Sequence, residues 1–140
     1  MPKKIFALLC LLGLVCQSVL ATDTKKEINW LTFEEAEALM KKEPRKVIVD
    51  VYTSWCGWCK VMDKKTYGND SVIDYINKYY YAVKFDAEQK TPVMFKGKKW
   101  EYSAQYKANT LALDLLQGRL SYPTTVFLNE KLENSGPVPG

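Results

Sequence analysis

The run Val47-Ile48-Val49-Asp50-Val51-Tyr52 constrains this chain more than any other stretch. Apart from Asp50 its residues are apolar on both faces, so a strand made from it must be covered on both faces. Such a strand belongs in the middle of a mainly parallel or mixed sheet with helices on both sides, which points to an α/β fold. Thr53-Ser54-Trp55 then forms a short loop, and Cys56-Gly57-Trp58-Cys59-Lys60 opens a helix. A buried strand thus delivers two thiols, three residues apart, to a helix N-terminus. This arrangement suits thiol–disulfide exchange; the spacing by itself also permits a metal site.

The rest of the composition weighs against metal. The chain has 140 residues, enough for one domain, and no histidine at all. Cys/His and Ser/His catalysis are therefore excluded, as are most zinc and haem ligand sets. Of the four cysteines, Cys10 and Cys16 fall in an apolar leader. The remaining pair is too few for a disulfide-stapled scaffold and lacks partners for a structural zinc site. No metal and no cofactor is expected.

Residues 1–21 read as a secretory signal peptide. Lys3 and Lys4 form the positive end, Ile5 to Val15 the apolar core, and Val19-Leu20-Ala21 the cleavage site, with the cut after Ala21. Residues 22–27 form a polar, flexible tether and 28–140 the domain. The leader puts the mature chain in the periplasm or outside the cell. Two alternatives stay open: an uncleaved leader acting as a membrane anchor, or a lipoprotein modified at Cys16. The leader holds two of the 20 basic residues and no acid, which leaves 18 basic against 16 acidic residues. A chain so near neutrality gives no reason to expect nucleic acid as a partner.

Thr32-Phe33-Glu34-Glu35 has the capping-box form and starts a helix with Phe33, Ala36, Leu39 and Met40 on one face, stopped by Pro44. The helix from Cys56 is expected to run to about Thr66. After an interruption at Tyr67–Asp70, Asp70 or Ser71 caps a second helix presenting Val72, Ile73, Ile76 and Tyr80. Tyr81 to Asp86 reads as the next strand. Val93–Phe95 and Trp100–Tyr102 flank Lys96–Lys99 and suggest a hairpin, placed in a solvated insertion over 87–107 that could also touch substrate. Asn109 caps a helix with Leu111, Leu115 and Leu116 inward, ending near Gly118. Thr125–Leu128 is a strand, and Leu132–Ser135 returns as its antiparallel edge neighbour.

The chemistry follows from position. Unpaired N–H groups and the helix dipole at an N-terminus stabilise a thiolate, and Cys56 would sit there. Cys59 lies one turn on, within reach of its sulfur. Asp50, an acid inside an apolar run, should have its pKa raised by burial, and it is placed to take the Cys59 proton directly or through water.

On these residues the chain resembles the thioredoxin superfamily. The segment Val47–Lys60, centred on VDVYTSWCGWCK, carries the resemblance, as do Tyr122-Pro123-Thr124 before a strand and the closing Pro137-Val138-Pro139-Gly140. It covers roughly residues 28–140 in element order. It implies a thioredoxin fold, a central mixed sheet flanked by helices, with Cys56 as nucleophile, Cys59 as resolving cysteine and Asp50 as the buried aspartate. It also implies a cis Pro123 facing the CxxC, with the Tyr122 backbone pairing to an extended substrate. Trp55 matches the tryptophan before the first cysteine, and Gly57 and Trp58 would touch substrate. Two departures stand out. Gly57-Trp58 replaces the usual Gly-Pro, and the family's final helix does not follow, so the domain reads as C-terminally truncated with apolar surface left open.

With the leader, the sequence looks like the extracytoplasmic thioredoxin-like proteins of bacteria. The expected function is reduction of disulfides in exported proteins, with electrons from a membrane-embedded donor, by a monomer. An oxidase or isomerase of the same fold, or a non-catalytic binding module, are the alternatives. A version of residues 22–140 extended by an amphipathic helix is expected to unfold at higher denaturant than 22–140 itself. Equal midpoints would refute the truncated reading.

Overall fold

The structure is a computed structural model that describes residues 25–140. The leader, its cleavage site at Ala21, Cys10, Cys16 and the start of the tether lie outside the described residues. In chain order the elements are β1 (Trp30–Leu31), α1 (Phe33–Met40), β2 (Lys46–Tyr52), α2 (Gly57–Lys65), α3 (Asp70–Tyr79), β3 (Tyr80–Asp86) and β4 (Val93–Phe95). They continue with β5 (Lys98–Trp100), β6 (Tyr102–Ser103), β7 (Ala108–Asn109), α4 (Thr110–Leu115), β8 (Thr124–Leu128) and β9 (Asn134–Pro139). No helix among the described residues is long and apolar enough to cross a membrane.

The main sheet has the order β1-β3-β2-β8-β9. β2 is its centre, parallel to β3 on one side and antiparallel to β8 on the other. This explains its run of buried residues: both edges are hydrogen-bonded and both faces are covered. Val47, Val49 and Val51 point to one face, where they meet Val83, Phe85, Val126 and Leu128 from neighbouring strands and Phe33, Leu111 and Leu115 from α1 and α4. Ile48 points to the other face, with Ala82, Phe127, and Ile73 and Ile76 of α3. Alternation along one strand thus sorts the two cores. Asp50 shares the face of Ile48, the side covered by α2 and α3.

Local signals account for the helix starts. Thr32 and Glu35 make the predicted capping box: Thr32 Oγ1 accepts from the Glu35 N–H at 3.2 Å, and Glu35 Oε2 accepts from the Thr32 N–H at 2.8 Å. α3 is capped one residue earlier than expected. The Asn69 side chain accepts from the N–H groups of Ser71 and Val72, and Asp70 becomes the first helical residue, where its charge suits the dipole. Asn109 caps α4 as predicted, through the N–H of Leu111 at 2.9 Å.

Three expectations need correction. The hairpin is β4–β5 with Lys96-Gly97 at its turn, both at positive φ. Tyr102 is not in it but pairs with Asn109 across β6–β7. The segment after β3 is not simply solvated: Val93 and Phe95 are buried, and Phe95 stacks 4.7 Å from Phe33. The alternation Val93, Met94, Phe95 puts two side chains into the α1 face of the core and one outside, a pattern too short to read by periodicity. Finally, the edge strand runs over Asn134–Pro139 rather than 132–135, because Asn129 Oδ1 accepts from the N–H groups of Lys131 and Glu133 and holds the turn open that far.

Phe95→Ala is accordingly expected to lower the unfolding free energy by about 3–5 kcal/mol in urea titrations, the usual result of removing a buried aromatic ring. Met94→Ala, at an exposed position of the same strand, should change it by no more than about 0.5 kcal/mol. Equal effects at the two positions would refute the packing described.

Candidate active site

Where β2 ends, Tyr52 leads into Thr53-Ser54-Trp55, and Cys56 becomes the N-cap of α2, with extended backbone. The helix therefore starts at Gly57, one residue later than the sequence suggests. The Cys59 N–H donates to Cys56 Sγ at 3.1 Å, so the sulfur takes the place usually held by a serine or aspartate oxygen. Cys56 and Cys59 are joined in a disulfide with Cα atoms 5.3 Å apart. Their side chains are close to buried, at 4% and 3% exposure. Cap position separates the two sulfurs where exposure does not: Cys56 receives the helix N–H and the positive end of the dipole, and Cys59 sits inside the first turn.

Two tryptophans flank the pair and project into solvent, Trp55 at 65% and Trp58 at 75% exposure. The Trp55 ring meets Tyr122 edge-on at 6.0 Å, which brings the 121–123 loop beside the CxxC. The Tyr122–Pro123 peptide is cis. Pro123, Trp58, Val61, Met62 and Gly140 line an open, largely apolar groove of about 540 Å³. Gly140 donates its N–H to the Pro123 carbonyl at 2.9 Å, tying the end of β9 to this loop. Open space surrounds the α-carbon of Gly57, so no contact forces glycine there. Trp55, Cys56, Gly57, Trp58, Cys59, Tyr122 and Pro123 are thus gathered at one end of the sheet. Burial, with Glu88 and Asp86 nearby, pushes the Tyr122 phenol up to about 12, so it stays neutral.

Asp50 lies inside the sheet layer. Parallel register sets it opposite Lys84 on β3, and antiparallel register sets it opposite Thr125 on β8. The Lys84 Nζ donates to Asp50 Oδ2 at 2.7 Å and also to Asp63 Oδ1 on α2. Its ammonium lies 4.9, 5.0 and 5.5 Å from the ring centres of Trp30, Tyr52 and Tyr67. Asp50 Oδ1 is buried and accepts no hydrogen bond among the described residues, as is Thr53 Oγ1. Burial raises the Asp50 pKa, Lys84 opposes the rise and Asp63 adds to it; the net shift is upward, as the sequence suggested. Burial alone would lower Lys84, but the two carboxylates outweigh it and hold the ammonium above its ordinary value.

Lys84, Asp63 and Gly140 were not foreseen as part of this site. One signal for Lys84 was present: Asp50 and Lys84 are each the fourth residue of the strands read at 47–52 and 81–86, and they carry opposite charge. Adjacent parallel strands in that register put them side by side. Asp63, four residues after Cys59, looked like any polar residue on a solvated helix face.

A β1-β3-β2-β8-β9 sheet with a CxxC at the N-terminus of α2 defines a protein of the thioredoxin fold. The chain belongs to the Thioredox_DsbH family, described as a protein of unknown function, DUF255, whose model matches residues 15–135. It is 34% identical over 94 residues to an uncharacterized protein of Archaeoglobus fulgidus, covering 65% of this chain and 73% of that one. Among solved structures it is similar to a candidate disulphide-isomerase of Bacteroides thetaiotaomicron, with 27% identity, a TM-score of 0.57 and 82% of each chain covered. It is also similar to a thioredoxin of Thermus thermophilus, with 21% identity, a TM-score of 0.59, and 81% and 76% covered.

The raised pKa of Asp50 has a consequence for stability. A carboxyl that holds its proton more tightly when folded favours the fold below the ordinary carboxylate range, and this contribution is lost as pH rises through the folded pKa. Asp50→Asn should therefore raise the neutral-pH denaturation midpoint relative to the native chain, and the gain should shrink as pH falls through the raised folded pKa, reaching its smallest value by about pH 4. A variant less stable than the native chain at pH 7 would contradict this.

Proposed function

We propose that this protein is a thiol–disulfide oxidoreductase that reduces disulfides of exported proteins. The observation that carries this reading is the Cys56–Cys59 disulfide at the α2 N-terminus, flanked by two exposed tryptophans and the Tyr122-Pro123 loop. The family match and the 27% identity to a disulphide-isomerase candidate support exchange chemistry in general.

In the reduced state, the Cys56 thiolate attacks one sulfur of a substrate disulfide. The substrate S–S bond breaks, the first substrate thiolate departs and takes a proton from solvent, and a mixed disulfide remains. Cys59 then gives its proton to Asp50, and its thiolate attacks Cys56 Sγ. The second substrate thiolate leaves, and two electrons have moved from the Cys56–Cys59 pair to the substrate. Substrate would lie along Trp55, Gly57 and Trp58 and pair with the backbone of Tyr122 beside Pro123. A membrane-embedded dithiol donor would regenerate the pair. The signal-like leader supports action outside the cytoplasm.

The candidate-isomerase neighbour favours a second reading, isomerisation or oxidation on the same cysteines. The reduction potential separates the two. A value near the about −270 mV of cytosolic thioredoxins supports the reductase, and one near the about −120 mV of strong periplasmic oxidants overturns it.

Cys59→Ser should retain substrates as mixed disulfides on Cys56, visible as thiol-sensitive adducts in non-reducing gels of the exporting cell. Cys56→Ser should show none and reduce no disulfide. Asp50→Asn should slow the resolving step by about 10²–10⁴-fold, the range for a lost general base, while initial attack persists. Adducts that form equally well on Cys56→Ser would refute the assignment of the nucleophile.

A further inference from the structure

Lys84 is the unusual residue of this molecule. It comes off β3 beside the buried Asp50, and its ammonium is bonded at once to Asp50 and to Asp63. Exposure is graded along these three side chains: 2% for Asp50, 22% for Lys84 and 43% for Asp63. A cavity of about 300 Å³, lined by Ile28, Trp30, Asp63, Tyr67 and Lys84, opens onto the same ammonium. It lies on the β1 side of α2, whereas the groove of Pro123 and Gly140 lies on the β8–β9 side. Solvent thus reaches the Asp50–Lys84 pair from a different direction than substrate would.

We propose that Asp63 is a positioning residue that acts on Asp50 through Lys84, anchoring the ammonium at its solvent end so that one positive charge is divided between two carboxylates. This rests on reading Cys56 and Cys59 as the redox pair. A lysine held only by Asp50 would form an ordinary buried ion pair and pull that carboxyl toward permanent ionisation. Such a carboxylate is a weak base for the Cys59 proton. The second carboxylate draws the ammonium outward and adds a negative charge of its own. Asp50 keeps its proton affinity without being left unpaired. The aromatic rings of Trp30, Tyr52 and Tyr67 restrict the ammonium to the position where both carboxylates are in reach.

No other cation bonds to either carboxylate among the described residues. Around Asp50, β3 offers Lys84, α2 offers Asp63 and the cysteine pair, the segment after α2 offers Tyr67, and β2 itself offers Tyr52. β8 offers only uncharged Thr125 opposite it, and β1 offers Trp30. Burial raises both tyrosines, Asp50 among the contributing charges, so neither supplies a charge at neutral pH. Lys26, at the mouth of the cavity, is engaged by Asp74 at 2.6 Å.

The experiment follows the Asp50 carboxyl by carbon-13 NMR across pH in the oxidised full chain, for the native protein, Asp63→Asn, Lys84→Met and the double variant. Asp63→Asn should move the Asp50 titration to lower pH and Lys84→Met should move it to higher pH. If Asp63 acts mainly through Lys84, Asp63→Asn should shift the titration less in the Lys84→Met background, where only its direct charge remains. An equal shift in both backgrounds overturns the proposal, as does an unmoved titration in Asp63→Asn alone. Asp63 is partly exposed, so its asparagine variant is expected to fold; Asp63→Glu should restore the native titration. In parallel, the rate at which the pre-reduced chain reduces glutathione disulfide in a single turnover is measured against pH. Asp63→Asn should shift the acid limb to lower pH and lower the plateau, and Asp63→Glu should recover both. A Cys56-dependent turnover with an unmoved Asp50 titration refutes the role of Asp63 alone. A moved titration with no Cys56-dependent turnover refutes the redox reading and leaves the coupling of the three charges standing.

Discussion

Asp50 is a carboxylate in the middle of a strand that is buried on both faces and paired on both edges. Removing such a group from water costs several kcal/mol, and the paired lysine offsets only part of that. A pair of well-packed apolar residues in the same register would serve the sheet at least as well, so stability alone does not account for Asp50 and Lys84. The local structure is nevertheless organised around them. Parallel register brings the two residues level, the pleat turns both toward α2, and Trp30, Tyr52 and Tyr67 form the wall that keeps the ammonium in place. An aliphatic lysine stem packs against such rings while its head stays near water. Arginine would present a planar fork rather than a point charge, and its shape suits two ligands on different elements less well.

The same strand places the thiols. Because β2 is central, the loop that leaves it emerges at the middle of the sheet edge, where the loop entering the antiparallel β8 also arrives. Trp55 and Tyr122 meet there as a result of topology, although 67 positions separate them in the chain. Cys56 caps the helix that follows, so the residue best placed to be ionised is also the one nearest the convergence of loops. On the proposed function, a division of labour between the cysteines would need no further device: one holds the cap and the other lies one turn inside.

Much of this was legible before any coordinates. Val47–Tyr52 could only be an interior strand, the Thr32 capping box marked α1, and the CxxC after a buried strand indicated a helix N-terminus. What the sequence hid was of two kinds. Short elements such as Val93–Phe95 carry too few residues for periodicity to separate core from surface, so two buried side chains read as part of a solvated loop. Partnerships across the sheet depend on register, which no single segment encodes. Asp50 looked like an isolated buried acid because Lys84 is 34 residues away, and Asp63 looked like surface because its partner reaches it from under the helix. The caps failed by a single residue where asparagine and aspartate stood side by side, Asn69 and Asp70, and either chemistry would have served.

The edges of the sheet bear on how this protein meets a partner. β1 is two residues long and offers little backbone to pair with. At the other edge, the Gly140 N–H points to Pro123, so by alternation the even-numbered residues at the end of β9 face β8 and Pro137 and Pro139 face outward. Both outward positions therefore lack an N–H, which is how native sheets discourage strand addition. An extended chain approaching this molecule finds few free donors along either edge. On the proposed function, the loop at Tyr122 would be where backbone pairing and the two exposed tryptophans coincide. Recognition by that route would rest on a short stretch of main chain and on broad aromatic contact. Such contact tolerates varied side chains in the bound segment and demands mainly that a disulfide lie within reach of Cys56.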